Sequence, residues 1–368
     1  MMNNIFFDHN ATTPIRPNAL SLATQIMGEV GNAASTHSFG RTASKHVETA
    51  RRQIAELIDV SPQQIIFNSG ASEGNNTILK GFSGQRILIS AIEHPSIMEC
   101  GVNVECIPVT AQGVIDLEAY HTMLHTGTPP ALVSVMYVNN ETGVIQPIQE
   151  IARMAREVGA LVHCDCVQAF GRIPFTRESL GVDFLTLSAH KIGGTHGVGA
   201  LVSAVGLQVP KLVQGGGQER RQRGGTVNVA GIAAFGSAAV DAVGSLDQYQ
   251  KLSLWRDRIE DHVLRSSNRV RIMGRDAPRT ANTSMMVIES KSHDTLLMAF
   301  DLDGVAMSAG SACSSGSTKL SYTLTAMGVD ACSPVASLRL SLGYTTTEKE
   351  VEEFLAIWDK ISARILKD

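Results

Sequence analysis

Short apolar runs alternate with polar or glycine-rich turns along most of this chain. Ile65-Ile66-Phe67 runs into Asn68-Ser69-Gly70-Ala71-Ser72, and Ile87-Leu88-Ile89-Ser90 into Glu93-His94-Pro95. Leu132 to Val138 reads as a strand leading into Asn139-Asn140-Glu141-Thr142-Gly143. A segment follows with Pro147 near its start, apolar residues at Ile148, Ile151, Met154, Ala155 and Val158, and Gly159 at its end. Proline first, glycine last and helical spacing between predict a helix. Strands alternating with helices predict an α/β fold with a mostly parallel sheet covered on both faces. In such sheets ligands sit outside the carboxyl ends of the strands, where each of these polar clusters falls.

The pattern changes after about residue 250. Leu254 to Leu264 predicts a helix, and Thr283 to Ile288 and Leu338 to Leu342 predict strands. Thr347-x-x-Glu350 is a capping box opening a last helix, with Val351, Phe354, Leu355, Trp358 and Ile361 on its apolar face. A domain boundary is placed near residue 250. At 368 residues the chain is too long for one typical domain.

Charge narrows the function class. Thirty-five acidic against thirty-one basic residues give a net charge of -4, with no basic block, so no nucleic-acid partner is expected. No apolar run approaches the roughly 18 residues that span a bilayer, so no membrane span is expected. Met1-Met2-Asn3-Asn4 shows no leader, and a cytoplasmic location is expected. Six cysteines in such a chain read as free thiols.

Candidate chemistry begins at Ser188-Ala189-His190-Lys191-Ile192-Gly193-Gly194, fed by Phe184-Leu185-Thr186-Leu187. A second run, Ala160-Leu161-Val162-His163-Cys164-Asp165, ends on an aspartate. A lysine and an aspartate at the ends of buried strands are what a pyridoxal phosphate (PLP) enzyme needs. The amine forms a Schiff base, and the carboxylate holds a proton on the pyridine nitrogen. Strand alternation turns His163 and Asp165 away from Cys164 and Cys166, and no second pair has zinc spacing, so no metal is expected. Gln168 can reach the ligand that Asp165 reaches. Gly70-Ala71-Ser72 opens a helix whose N-terminus suits phosphate, although many helices begin this way. His94 is either a satisfied histidine or a ring that stacks on a cofactor and moves protons. Cys313, in a run of small polar residues from Ser308 to Ser317, is either a fortuitous thiol or a nucleophile. Arg339 is either on an exposed strand face or an inward carboxylate clamp.

Taken in order, these segments resemble the cysteine desulfurases of the NifS/IscS type, class-V aminotransferases of PLP fold type I. The resemblance also rests on Asp8-His9-Asn10-Ala11-Thr12-Thr13-Pro14, Gly215-Gly216-Gly217-Gln218-Glu219, Arg223-Gly224-Gly225-Thr226 and Gly310-Ser311-Ala312-Cys313. It implies a large PLP domain over 14–250 with a seven-stranded, mostly parallel sheet. Residues 1–13 and 251–368 would form a smaller α+β domain carrying the Cys313 loop. Lys191 would be the Schiff-base lysine, Asp165 the pyridinium partner, Gln168 the contact to the phenolic oxygen, and His94 the stacked ring. Ala71, Ser72, Ser188 and His190 would hold the phosphate, with Thr226 reaching in from the second subunit of a homodimer. Asn140 would lie at the cofactor and, with Arg339, bind the substrate carboxylate. Cys313 would take sulfur from L-cysteine as a persulfide, leave L-alanine, and pass the sulfur to an acceptor protein such as an iron–sulfur scaffold. Scaffold-binding members extend beyond the point matched by Asp368, so a stand-alone sulfur donor is an equal expectation. The rival readings are a selenocysteine lyase, another class-V aminotransferase, and a non-enzymatic relic of the fold.

Overall fold

The computed structural model describes residues 5–289, 293–309, 321–330 and 335–365. Twelve strands are present among them. In chain order they are β1 (Ile5–Phe6), β2 (Ile65–Asn68), β3 (Ile87–Ser90), β4 (Glu105–Ile107), β5 (Leu132–Ser134) and β6 (Leu161–Asp165). Then come β7 (Phe184–Ser188), β8 (Gly199–Ser203), β9 (Val270–Ile272), β10 (Thr283–Glu289), β11 (Val305–Ala306) and β12 (Val335–Ser341).

Seven of them form one sheet in the order β2-β8-β7-β6-β5-β3-β4. The pairs from β4 across to β7 are parallel, and β8 runs antiparallel to both β7 and β2. Two antiparallel pairings in succession make β2 parallel to β7. The carboxyl ends of β2, β3, β5, β6 and β7 therefore share one edge of the sheet, and β8 starts there. Every residue of β3, β5, β7 and β8 is buried. That explains unbroken apolar runs rather than alternation: helices cover both faces.

The helix Val229–Gly244 packs with Ser38–Leu57 on the core that also holds Val133, Val162, Leu185 and Val202. The helix Ile148–Glu157 lies where the proline–glycine frame predicts it. β5 ends at Ser134, earlier than the apolar run to Val138 implies. Val135 and Tyr137 still donate to the carbonyls of His163 and Asp165, at 3.0 and 2.9 Å. The chain then bends, because Asn139 Oδ1 accepts from the backbone N–H of Glu141 and Thr142.

A second core gathers Ile5 and Phe7 with Ile259, Met286, Leu338, Leu340, Phe354 and Trp358. Its antiparallel sheet has the order β12-β10-β9, and β1 pairs in parallel with β11. Thr347 and Glu350 form the predicted capping box: Thr347 N donates to Glu350 Oε2 at 2.7 Å, and Glu350 N to Thr347 Oγ1 at 3.3 Å. No single helix among the described residues is long and apolar enough to cross a membrane.

Candidate active site

The shared strand edge opens into a cavity of about 370 Å³. Lys191 ends a 3-10 turn, Ala189–Lys191, directly after β7. Its Nζ donates to the carbonyls of Asn10 at 2.5 Å and Ala11 at 2.7 Å. Asp165 ends the adjacent strand β6 and faces the same cavity. Asn75 Nδ2 donates to its Oδ2 at 2.8 Å and Val167 N to its Oδ1 at 2.9 Å. The alternation read from the sequence holds. His163 lies in the core, its ring nitrogens on the hydroxyls of Ser134 and Thr186, while Cys164 and Cys166 meet at 3.6 Å between sulfurs.

His94 follows β3 and caps the short helix Pro95–Met98. Its Nδ1 accepts from Ser96 N at 3.1 Å, which places the ring proton on Nε2 in the neutral form. Burial lowers its pKa, and the Lys191 charge adds to this while Asp165 opposes it. His190 is pushed down to about 3, first by burial and then by Lys191, His196 and Arg172. Both imidazoles are therefore neutral at physiological pH.

One wall of the cavity is the start of the helix Ala71–Gly81. Gly70 precedes it at φ 142° and ψ 175°, with no side-chain cap on the first turn. Such an N-terminus presents backbone N–H groups to an anion. Glu73 in that first turn is bound by Arg223 through two contacts of 2.9 and 3.0 Å, so its charge is already paired. A Cβ at Gly199 would stand 2.7 Å from the Cα of Gly70, so glycine lets β8 start directly beneath this turn.

Arg339 of β12 reaches in from the second core and is 1% exposed. The question left open by the sequence is answered: the side chain points inward. Its Nη2 donates to Asp8 Oδ1 at 2.6 Å and its Nη1 to Asn140 O at 3.2 Å, while its Nε has no hydrogen-bond partner among the described residues. Ala71, Ser72, His94, Asn140, Asp165, Gln168, Ser188, His190, Lys191 and Arg339 thus line one cavity. Thr226 is exposed and is not among the lining residues. Cys313 lies outside the described residues.

The class-V aminotransferase family model matches residues 5–354. This chain belongs to the class-V aminotransferase family. An IscS-like cysteine desulfurase of Mycobacterium tuberculosis is 36% identical over 98% of this chain and 96% of the relative. The crystal structure of a NifS-like protein from Rickettsia africae superposes with a TM-score of 0.91 at 36% identity, covering 98% of this chain and all of that one. A structure of SspA in complex with cysteine has a TM-score of 0.79 at 27% identity, covering 92% of this chain and 98% of that one. Class-V aminotransferases are generally PLP-dependent. The fold is thus the mostly parallel α/β architecture of the NifS-like PLP enzymes.

Several residues that build this class-V site carry no local signal. Asn75 sits inside a helix 90 positions from the carboxylate it binds. Asp8 lies 331 positions from Arg339. His196 lines the cavity mouth with its ring 5.2 Å from that of His190. Asp8 and Asn10 were visible only within a motif, without a role.

Proposed function

We propose that this protein is a PLP-dependent cysteine desulfurase that converts L-cysteine to L-alanine and takes the sulfur on Cys313. One observation carries the reading: Lys191 and Asp165, from neighbouring strand ends, face one cavity that is also lined by an inward arginine whose Nε has no hydrogen-bond partner among the described residues. The names of the relatives support the same activity.

The residues present fit PLP. The uncapped N-terminus at Ala71–Ser72 and the polar groups of Ser188 and His190 suit a phosphate dianion. Asp165, held by two N–H donors, suits a protonated pyridine nitrogen. Lys191 supplies the amine that binds the cofactor. When bound, PLP supplies an electron-withdrawing ring that lets the bond between carbon and sulfur of cysteine break. The chain's own groups do the remainder. Arg339 and Asn140 hold the substrate carboxylate, and neutral His94 moves a proton through Nε2. The Cys313 thiolate attacks the substrate sulfur and forms an S–S bond as the carbon–sulfur bond breaks.

The two separate cores support a large domain over 14–250 and a small one of 1–13 with 251–368. A homodimer fits the exposed Met27, Val30 and Phe39, which are 72%, 78% and 60% exposed and line one hollow. Exposed Thr226 would then reach the cavity of a second copy. A separate acceptor protein would receive the sulfur.

The test is to incubate the PLP-loaded protein with L-cysteine and a thiol reductant and to quantify alanine and sulfide together. Equal amounts are expected, with neither formed by Lys191→Ala. A PLP-loaded protein that yields neither product removes cysteine as the substrate.

A further inference from the structure

Arg172 is a buried cation held by neutral acceptors. It is 3% exposed, in the turn that follows β6. Its Nη1 donates to Asn10 Oδ1 at 2.6 Å and to Gln168 Oε1, and its Nη2 to the carbonyls of His9 at 3.2 Å and Lys191 at 3.4 Å. All four acceptors are neutral. Among the described residues no carboxylate lies within ion-pair distance of it. Three other arginines with covered side chains are different: Arg51 pairs with Glu219, Arg279 with Glu260, and Arg339 with Asp8. Arg16, 9% exposed, shares the lack of an ion pair among the described residues but lies over the Tyr344 ring. A buried charge balanced by dipoles alone is costly and is retained where it acts on something.

The contacts show what it acts on. Guanidinium has donors only, so Gln168 must turn its oxygen toward Arg172. That leaves the Gln168 N–H₂ as the amide group available to the cavity, and here it donates to Asn10 O at 3.1 Å. Asn10 is fixed in the same way. Its Oδ1 takes Arg172 and Asn282, so its Nδ2 turns to Asn140 O and Thr283. The Asn10 carbonyl then receives both the Lys191 amine and the Gln168 amide. Gly171, at φ +70°, permits the turn; a Cβ there would meet Ala242 at 2.8 Å and Ile192 at 3.0 Å.

We propose that Arg172 is a positioning residue for the cofactor's ring oxygen: it presents Gln168 as a donor and supplies the buried positive charge that favours an anionic oxygen beside that donor. This rests on the PLP reading above, in which Gln168 meets the phenolic oxygen.

Two measurements test it, one without cofactor. In the apoprotein, Gln168→Glu places a carboxylate against Arg172. It should raise the Tm when Arg172 is present and lower it in an Arg172→Met background. A fall in both backgrounds overturns the proposal, and if Arg172→Met does not fold, a fall in the single variant does so. In the holoprotein at fixed pH, Arg172→Met should bind PLP about tenfold more weakly, the scale of one lost charge-assisted contact. It should also shift the visible band of bound PLP toward its neutral form, with Arg172→Lys restoring the band. A wild-type band and affinity in Arg172→Met overturn the proposal and leave the proposed function intact. If the wild-type protein bound no PLP, the proposed function would fail and the cofactor role of Arg172 with it, while the apoprotein cycle would still decide whether Arg172 orients Gln168.

Discussion

Glu93 is a single buried group next to the cavity residues His94 and Met136. It is 3% exposed, accepts from Met136 N at 2.7 Å through Oε1, and has no partner at Oε2 among the described residues. Burial raises its pKa well above 4.5, and Asp165 adds to this while the Met136 N–H opposes it. The folded state therefore keeps a proton that the unfolded chain releases above about pH 4.5. Stability is lost as pH rises from there toward the folded value, at up to about 1.4 kcal/mol per pH unit. Glu93→Gln keeps the acceptor and does not titrate. Its Tm should match the wild type near pH 5 and exceed it increasingly as the pH is raised from there. Equal thermal melts across that range would mean that Glu93 is charged in the fold. Lys191 and Asp165 were legible because each ends an apolar run. Arg172, Asn75 and the Asp8–Arg339 pair were not, because burial and pairing across tens to hundreds of positions leave no local pattern.

Among the elements, the turn from β2 into the helix Ala71–Gly81 is the sharpest test. Gly70 has φ 142°, a conformation open to glycine, and nothing lies within 4 Å of where its Cβ would stand. Gly70→Ala therefore pays only in backbone strain, about 1–3 kcal/mol. We expect a lower Tm and weaker PLP binding, both read by titrating the apoprotein and following thermal melts. An unchanged Tm would show that the turn relaxes without cost. The alternation of strand, turn and helix was readable because its periods are local. The antiparallel insertion of β8 between β7 and β2 was not, since pairing partners are set by tertiary contacts. The early end of β5 escaped for a related reason: Asn139 bends a run whose apolarity continues.

At the scale of the molecule, residues 5–10 tie the two cores to the site. Ile5 and Phe7 pack in the second core, Asp8 holds Arg339, and Asn10 receives Lys191. Arg339 then brings the second core to the cavity wall, so the cavity is built by both. Transfer of the sulfur to Cys313 is the claim to test first. The PLP-loaded protein would be mixed with one equivalent of L-cysteine without reductant, and the Cys313 peptide would be weighed. The account predicts that this peptide gains one sulfur atom, that alanine forms in equal amount, and that a thiol reductant removes the gain. An unmodified Cys313 beside free alanine, or a Cys313→Ser protein that releases sulfide at the wild-type rate, would contradict it.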